Sequence, residues 1–311
     1  MQETRDAGRK GYRDLARRIR ALKEERDAVI LAHNYQVPEV QDLADLVGDS
    51  LELSRAAADR DEAVIVFCGV DFMAETAAIL SPEKTVLLPA ADACCPMADM
   101  VTAGEVRVLR ERYPGAAVVS YVNTTAEVKA ASDICCTAAN AVRVVRSLEE
   151  NRVIFVPDRN LALYTARFTD KEIIPWEGFC LVHDRITPDD VREARNRYPG
   201  AEVIVHPECR PEVIDLADRI FSTSGMVRHV CESPGEVFII GTEVGILYPM
   251  QKRCPGKDCH PLTLKAICTN MKKTTPEKVL RALETMDPRI TVPEKVARGA
   301  RAAIERMLSI P

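Results

Sequence analysis

Three cysteines of this chain, Cys95, Cys180 and Cys268, stand at equivalent places in an internal repeat. Three thiolates meeting at one point can hold zinc or an iron–sulfur cluster. A four-iron cluster on three protein ligands leaves one iron open, and an open iron is a Lewis acid that helps a hydroxyl leave as water. Zinc on three thiolates plus water is the competing arrangement. The same repeat lines up a second set of groups. His33, Tyr121 and His206 follow three matching apolar runs, and Tyr35, Asn123 and Glu208 come two positions later. Further on come Asp49-Ser50, Thr137-Ala138 and Ser222-Thr223. His, Tyr and Glu can move protons, while Ser, Thr and Asn can fix carboxylate or phosphate oxygens. One histidine at a strand end is more often structural, and one serine before a helix is usually an N-cap. A chemically able group kept at the same turn in three divergent copies shifts that reading towards function.

The other cysteines lack this support. Cys68 reads as a small buried hydrophobe, and Cys135, Cys136, Cys209 and Cys231 read as structural. Cys254 and Cys259, in RCPGKDCHP, could form a redox pair or bind zinc with His260. No second pair with zinc-finger spacing accompanies them. Cys94 adjoins Cys95, and spacing alone separates the two poorly.

The elements that must position these groups follow from the repeat, which sets the architecture. AVILAHNYQVPEVQDLAD from Ala28, AAVVSYVNTTAEVKAASD from Ala116 and AEVIVHPECRPEVIDLAD from Ala201 align without a gap. They continue from the shared Asp45, Asp133 and Asp218, and each closes on its cysteine 62, 59 and 62 residues after His33, Tyr121 and His206. AVILA, AVVSY and VIVH read as strands buried on both faces, as do AVIVF, RVIFV and EVFII further on. Between them Val40, Leu43, Ala44 and Val47 show helical spacing. Thr102 with Glu105, and Thr187 with Pro188, mark helix starts, and Tyr-Pro-Gly ends both of those helices. TTPEKVLRALETM opens the same way, and ITVPEKVARGARAAIERMLSIP adds an amphipathic helix. Each unit therefore reads as strand, helix, strand, helix. The expected fold is α/β: three pseudo-threefold-related α/β/α domains with small parallel sheets, roughly 1–100, 101–185 and 186–311, around a central site. Ligands then bind beyond the carboxyl ends of the strands, where helix N-termini favour anions.

Composition bounds the rest. The chain has 311 residues, 47% hydrophobic and 29% charged, with a net charge of −5. That balance argues against a nucleic-acid or anionic-membrane surface, and no apolar run approaches a membrane span. The first twenty residues have no apolar signal core. A cytoplasmic protein with reduced thiols is expected, so eleven cysteines suit metal binding better than a disulfide framework.

At these residues the chain resembles the A-type quinolinate synthase family of NAD biosynthesis. The resemblance covers nearly the whole length. It rests on AHNYQ with Gln41-Asp42 and GDS (48–50), FCGVDFMAET (67–76), CCPMADM (94–100), SYVNTTAEVKA (120–130), VPDRNL (156–161), WEGFCLVH (176–183), HPEC (206–209), STSGM (222–226) and ICTNMKK (267–273). It implies three α/β domains in pseudo-threefold arrangement. It implies a [4Fe–4S] cluster on Cys95, Cys180 and Cys268, in preference to Cys94 and to zinc. The reaction implied joins iminoaspartate to dihydroxyacetone phosphate, giving quinolinate, phosphate and two waters. The implied substrate contacts are His33, Tyr35, Ser50, Tyr121, Asn123, His206, Glu208, Ser222 and Thr223. One position departs: the family commonly has Thr-Ser where this chain has Thr137-Ala138, so a hydroxyl aimed at a substrate carboxylate is missing. Thr137, the Ala138 N–H or a water would have to stand in.

Glu208 is the expected general base or acid, with His206 and His33 as neighbours that tune it. Tyr35 and Tyr121 are expected to position substrate and, for Tyr121, to share in proton transfer. The expected partners are the small-molecule substrates and an enzyme supplying iminoaspartate. Rival readings are a zinc hydrolase or lyase on the same thiols, a redox sensor, and a pseudo-symmetric binding protein needing no thiol.

Overall fold

The computed structural model describes residues 2–310. It contains three parallel four-stranded sheets built alike. The first holds β1 (Ala28–His33), β2 (Leu46–Gly48), β3 (Val64–Cys68) and β4 (Thr85–Leu87) in the order β2-β1-β3-β4. The second holds β5 (Ala117–Tyr121), β6 (Ile134–Cys136), β7 (Arg152–Val156) and β8 (Glu172–Pro175) in the order β6-β5-β7-β8. The third holds β9 (Glu202–Val205), β10 (Arg219–Ile220), β11 (Val237–Gly241) and β12 (Asp258–Pro261) in the order β10-β9-β11-β12. The register is equivalent too: Leu31 faces Leu46 and Phe67, and Val119 faces Ile134 and Phe155.

Six of the twelve strands match the apolar runs read from the sequence. The outer two of each sheet do not, because they are two to four residues long and lie at the edges. For one edge strand of each sheet, β2, β6 and β10, formation has a local cause. Asp45 Oδ2 accepts the Ile30 N–H at 2.8 Å, Asp133 Oδ2 the Val118 N–H at 2.7 Å, and Asp218 Oδ2 the Val203 N–H at 2.7 Å. The shared aspartate thus ties the returning chain to the first strand of each unit. The helix expected across Val40, Leu43, Ala44 and Val47 is corrected: it is one turn, Pro38–Gln41, and Val47 lies in β2.

The capping signals behave as read. Thr102 and Glu105 form a capping box on helix Ala103–Arg112, and Thr187 with Asp190 does so on Pro188–Arg197. Thr275 caps Pro276–Thr285. The two Tyr-Pro-Gly stops turn through Gly115 (φ 79°) and Gly200 (φ 83°), a backbone conformation that glycine adopts without steric cost.

These three ten-residue helices each cover one sheet. Val106 packs with Val118 and Ile154 of the second unit, and Val191 with Val203 and Ile239 of the third. Val279, Leu280 and Leu283, from the end of the chain, pack with Ile30, Val64 and Val66 of the first. The helix after the last cysteine therefore covers the first sheet. The final helix, Glu294–Leu308, buries Ala300, Ala303, Ile304 and Met307. Gly299 sits against Ala130, where a Cβ would lie 3.0 Å from the alanine methyl. Among the described residues no helix is long and apolar enough to cross a membrane.

Candidate active site

The three first strands stop where apolar runs give way to polar turns. His33 ends β1, Tyr121 ends β5 and His206 follows β9. In two units the turn is stereochemically the same: His33 Nδ1 accepts the Tyr35 N–H at 3.1 Å and His206 Nδ1 accepts the Glu208 N–H at 3.4 Å. Nδ1 is thereby an acceptor, which leaves Nε2 to carry the proton of each neutral ring. Burial drives both rings to that neutral form, with pKa values lowered to about 3; Lys272 adds to the effect at His33 and His183 at His206.

All the residues singled out by the repeat line one cavity of about 190 Å³: His33, Tyr35, Ser50, Tyr121, Asn123, Thr137, Ala138, His206, Glu208, Ser222 and Thr223, together with Cys95, Cys180 and Cys268. Cys94 touches its wall as well. Two helices open on it with their N-termini, Ser50–Asp59 capped by Asp49 and Thr223–Glu232 capped by Ser222. Their caps meet across the first and third units, Ser222 Oγ donating to Asp49 Oδ2 at 3.1 Å. The Thr223 hydroxyl accepts from Asn34 Nδ2 at 3.2 Å. Asn123 Oδ1 is buried with no partner among the described residues, a polar atom free for a ligand.

Glu208 is the electrostatic centre. Tyr121 donates to its Oε1 at 2.5 Å, and His183 Nδ1 lies 2.6 Å from its Oε2. Burial alone would raise this carboxyl. His183 and His206 nearby, with the bond from Tyr121, outweigh burial and hold it well below the usual carboxylate range. Burial and then the Glu208 charge push Asp158 and Tyr121 upward, so Glu208 is the anion of the group. The network continues: His183 Nε2 is 2.8 Å from Thr242 Oγ1, and Tyr35 OH is 2.5 Å from the same oxygen. Both tyrosines are buried and neutral, with burial raising Tyr35 as well.

Each closing cysteine sits before a short turn of helix, Ala98–Met100, Leu181–Asp184 and Met271–Lys273. Backbone N–H groups of Met97 and Ala98 face the Cys95 sulfur, that of His183 faces Cys180, and those of Asn270 and Met271 face Cys268. Burial raises all three thiols, to about 12 for Cys95, and these N–H groups work against it in favour of thiolate. A metal must therefore displace their protons. One thiol from each unit in one cavity, with N–H groups aimed at every sulfur, is a donor set that fits a thiolate-ligated metal centre. Cys180, His183 and Glu208 also bring ligand atoms within 4.8 Å of one another, a mixed group able to hold a metal ion.

Comparison with known proteins decides which family builds such a site. Residues 17–309 match the family described as Quinolinate synthetase A protein. The chain belongs to the quinolinate synthase family. Similar relatives include the quinolinate synthase of Methanoregula boonei, 68% identical over 95% of this chain and 98% of its own length. That of Dehalococcoides mccartyi is 54% identical over 95% and 98%. Quinolinate synthase 1 of Methanosarcina acetivorans is 54% identical over 96% and 98%.

Against the quinolinate synthase pattern, three features of this chain were not read from its sequence. His183 and Thr242 join the proton network, yet neither has a counterpart in the other units, so the repeat gave them no weight. Arg185 lines the mouth of the cavity as an exposed cation. The third is a correction among the cysteines. Cys254 is disulfide-bonded to Cys231, not paired with Cys259, and Cys231 is no isolated structural thiol. Each ends one of two neighbouring helices, Thr223–Glu232 and Leu247–Arg253, with Cα atoms 5.1 Å apart, whereas Cys259 lies within β12. The middle unit also differs at Thr137-Ala138. Asn140 Oδ1 accepts from the Thr137 N–H at 2.7 Å and its hydroxyl at 3.2 Å, and the helix starts only at Ala141. The Thr137 hydroxyl is thus engaged and does not replace the missing serine.

Proposed function

We propose that this chain is a cytoplasmic quinolinate synthase of NAD biosynthesis, condensing iminoaspartate with dihydroxyacetone phosphate to quinolinate, phosphate and two waters. The observation that carries the reading is the meeting, in one cavity, of one thiol from each unit with the Glu208–Tyr121–His183 network. Cys95, Cys180 and Cys268 would hold a [4Fe–4S] cluster. Bound there, it would supply Lewis acidity from the iron without a protein ligand. The soft, all-sulfur set favours this over zinc on Cys180, His183 and Glu208, since the latter two already engage Thr242 and Tyr121.

The protein's own groups do the rest. Glu208, anionic at neutral pH, takes a proton from a substrate carbon or nitrogen through Oε1 or Oε2. Tyr121 and His183, bonded to or touching those oxygens, hold it and accept the charge redistribution. His33 and His206 present neutral rings whose Nε2–H groups donate to substrate oxygens. The N-termini of Ser50–Asp59 and Thr223–Glu232 favour the carboxylates of iminoaspartate and the phosphate of dihydroxyacetone phosphate. Ser50, Ser222 and Thr223 stand at those ends, and the free Asn123 amide oxygen suits the imine N–H. The unstable imine points to a partner enzyme that supplies it.

The test is anaerobic assay of the iron-loaded protein with both substrates, following quinolinate and phosphate together. Equal release of the two supports the reading, and phosphate release without quinolinate contradicts it. Replacing Cys95, Cys180 or Cys268 by Ser is expected to abolish stable iron binding. A variant that keeps the full complement removes that cysteine from the ligand set.

A further inference from the structure

Just past the third strand of every unit, β3, β7 and β11, stands an acidic side chain that reaches its own unit's closing cysteine. Asp71 Oδ1 accepts the Cys95 N–H at 3.3 Å. Asp158 Oδ2 accepts the Cys180 N–H at 3.1 Å. Glu243 Oε1 accepts the Cys268 N–H at 3.2 Å. A backbone bond doubles each contact, always to the carbonyl two residues before the cysteine. The Asp71 N–H donates to Ala93 at 2.9 Å, the Arg159 N–H to Gly178 at 2.8 Å, and the Val244 N–H to Ala266 at 3.0 Å.

Helix capping alone does not explain acids at these three places. Asp158 and Glu243 also cap the following turn, accepting from Leu161 and Gly245 at 2.7 Å each, whereas Asp71 accepts only from the adjacent Phe72 N–H at 2.8 Å. Thr102, Thr187 and Thr275 do that task elsewhere with one hydroxyl. A carboxylate has two oxygens and the reach to serve two N–H groups. In the second and third units one oxygen caps and the other holds the cysteine. The closing loop comes close enough only because of Gly178 in the second unit, where a Cβ would lie 2.5 Å from the Pro157 carbonyl oxygen. In the third unit Lys272 grips Glu243 at 3.0 Å, adding a second tie to the loop. Among the described residues no cation pairs with Asp158.

We propose that Asp71, Asp158 and Glu243 are positioning residues for the metal-binding thiols. Each acid holds its cysteine N–H while a backbone N–H at or next to it holds the carbonyl two residues earlier, so that three sulfurs from three separate loops already converge when the metal arrives. This rests on the reading of Cys95, Cys180 and Cys268 as the ligand set. Loops without such ties are mobile, and three free thiolates would repel one another. Asp158 matters most, being fully buried with no cation to take its place.

The experiment separates capping from positioning. Asp158→Ser and Glu243→Ser keep a capping hydroxyl but are too short to reach the cysteine N–H, and Asp71→Ser, at a position that does not cap, loses that reach alone. Asp71→Asn, Asp158→Asn and Glu243→Gln keep one acceptor oxygen for it, at the expense of the cap in the second and third units. Thr102→Ala removes a helix cap whose hydroxyl bonds only Glu105 and no closing cysteine. Each full-length protein is loaded anaerobically with iron and sulfide. Iron per chain, the rate of iron loss to a chelator, the visible and electron-paramagnetic signature, and melting of the metal-free protein are then measured. The Ser variants are expected to lose iron about 10- to 100-fold faster than wild type, as outer-shell changes do, with Asp158→Ser fastest. The amide variants are expected to return most of the way. Ser variants losing iron no faster than Thr102→Ala overturn the inference while leaving the cluster reading intact. A wild-type chain that takes up no iron overturns both. Should a Ser variant fail to fold, its amide partner decides: iron loss near the wild-type rate supports the assignment, and loss as fast as from Cys180→Ser overturns it.

Discussion

The closing loops and the strand-end turns of this molecule come from the same three units, yet they have diverged differently. The closing loops are alike: a cysteine, its N–H on a carboxylate, its approach peptide tied to a backbone N–H, and a short helical turn beyond. The strand-end turns keep their backbone but not their chemistry, with His33–Tyr35, Tyr121–Asn123 and His206–Glu208 in equivalent places. The difference fits the proposed function, in which the closing loops hold a metal and the strand-end turns hold substrate. A metal centre with three like ligands asks the same of every unit. Two small asymmetric substrates ask a base of one unit, a phenol of another and donors of the rest.

Breaking the asymmetric side should cost the most. Glu208→Gln keeps the shape of the network but removes the anion that Tyr121 and His183 hold. Turnover is expected to fall about 10²- to 10⁴-fold with iron content unchanged, and near-normal quinolinate formation would remove Glu208 as the base. Tyr121→His makes the middle turn resemble the other two. If the chemistry needs the asymmetry, this restoration of symmetry should lower turnover by about 10²-fold while the bound iron stays, read by steady-state assay beside iron analysis.

Packing between the units gives the next effect. Gly299→Val places a side chain against Ala130 and should lower the stability of the fold by about 1–3 kcal/mol, measured by denaturant unfolding. The paired histidines give a pH signature. His33 and His206 titrate near 6.5 when unfolded and near 3 when folded, so the unfolded chain binds their protons first. Their contribution to stability is complete above pH 6.5 and drains away as pH falls towards 3. Replacing either by Asn should flatten the acid loss of stability by about 1.4 kcal/mol per pH unit in that window. An unchanged slope would mean that the ring is charged in the fold. The smallest effect belongs to the middle unit. Ala138→Ser returns a hydroxyl to the cavity wall, and one hydrogen bond of about 0.5–1.5 kcal/mol should lower KM roughly 2- to 10-fold with little change in kcat.

The same contrast explains what the sequence disclosed. The cysteines were legible because one residue type recurs at near-constant spacing. The strand-end groups were legible because a gap-free alignment carries position even where residue type changes. The positioning acids were not. They stand three residues past β3 but two past β7 and β11, and they change from Asp to Glu, so alignment passes over them. His183 and Thr242 were hidden for the opposite reason: Ala98 and Met271 occupy the places equivalent to His183, and no repeat marks a residue that acts once. The edge strands escaped because two to four residues carry too little periodicity, and three of them, β2, β6 and β10, follow the Asp45, Asp133 and Asp218 clamps. The pairing of Cys231 with Cys254 depends on two helices lying side by side, which spacing along the chain does not reveal.

The claim on which the rest stands is that one thiol from each unit converges on a single metal centre. Quantifying iron, acid-labile sulfide and zinc in anaerobically purified protein tests it directly. The account predicts iron and sulfide in equal amounts, near one [4Fe–4S] cluster per chain, lost when Cys95, Cys180 or Cys268 becomes Ser and kept when Cys94 does. Stoichiometric zinc without sulfide, or a full cluster in any of those three variants, would contradict it.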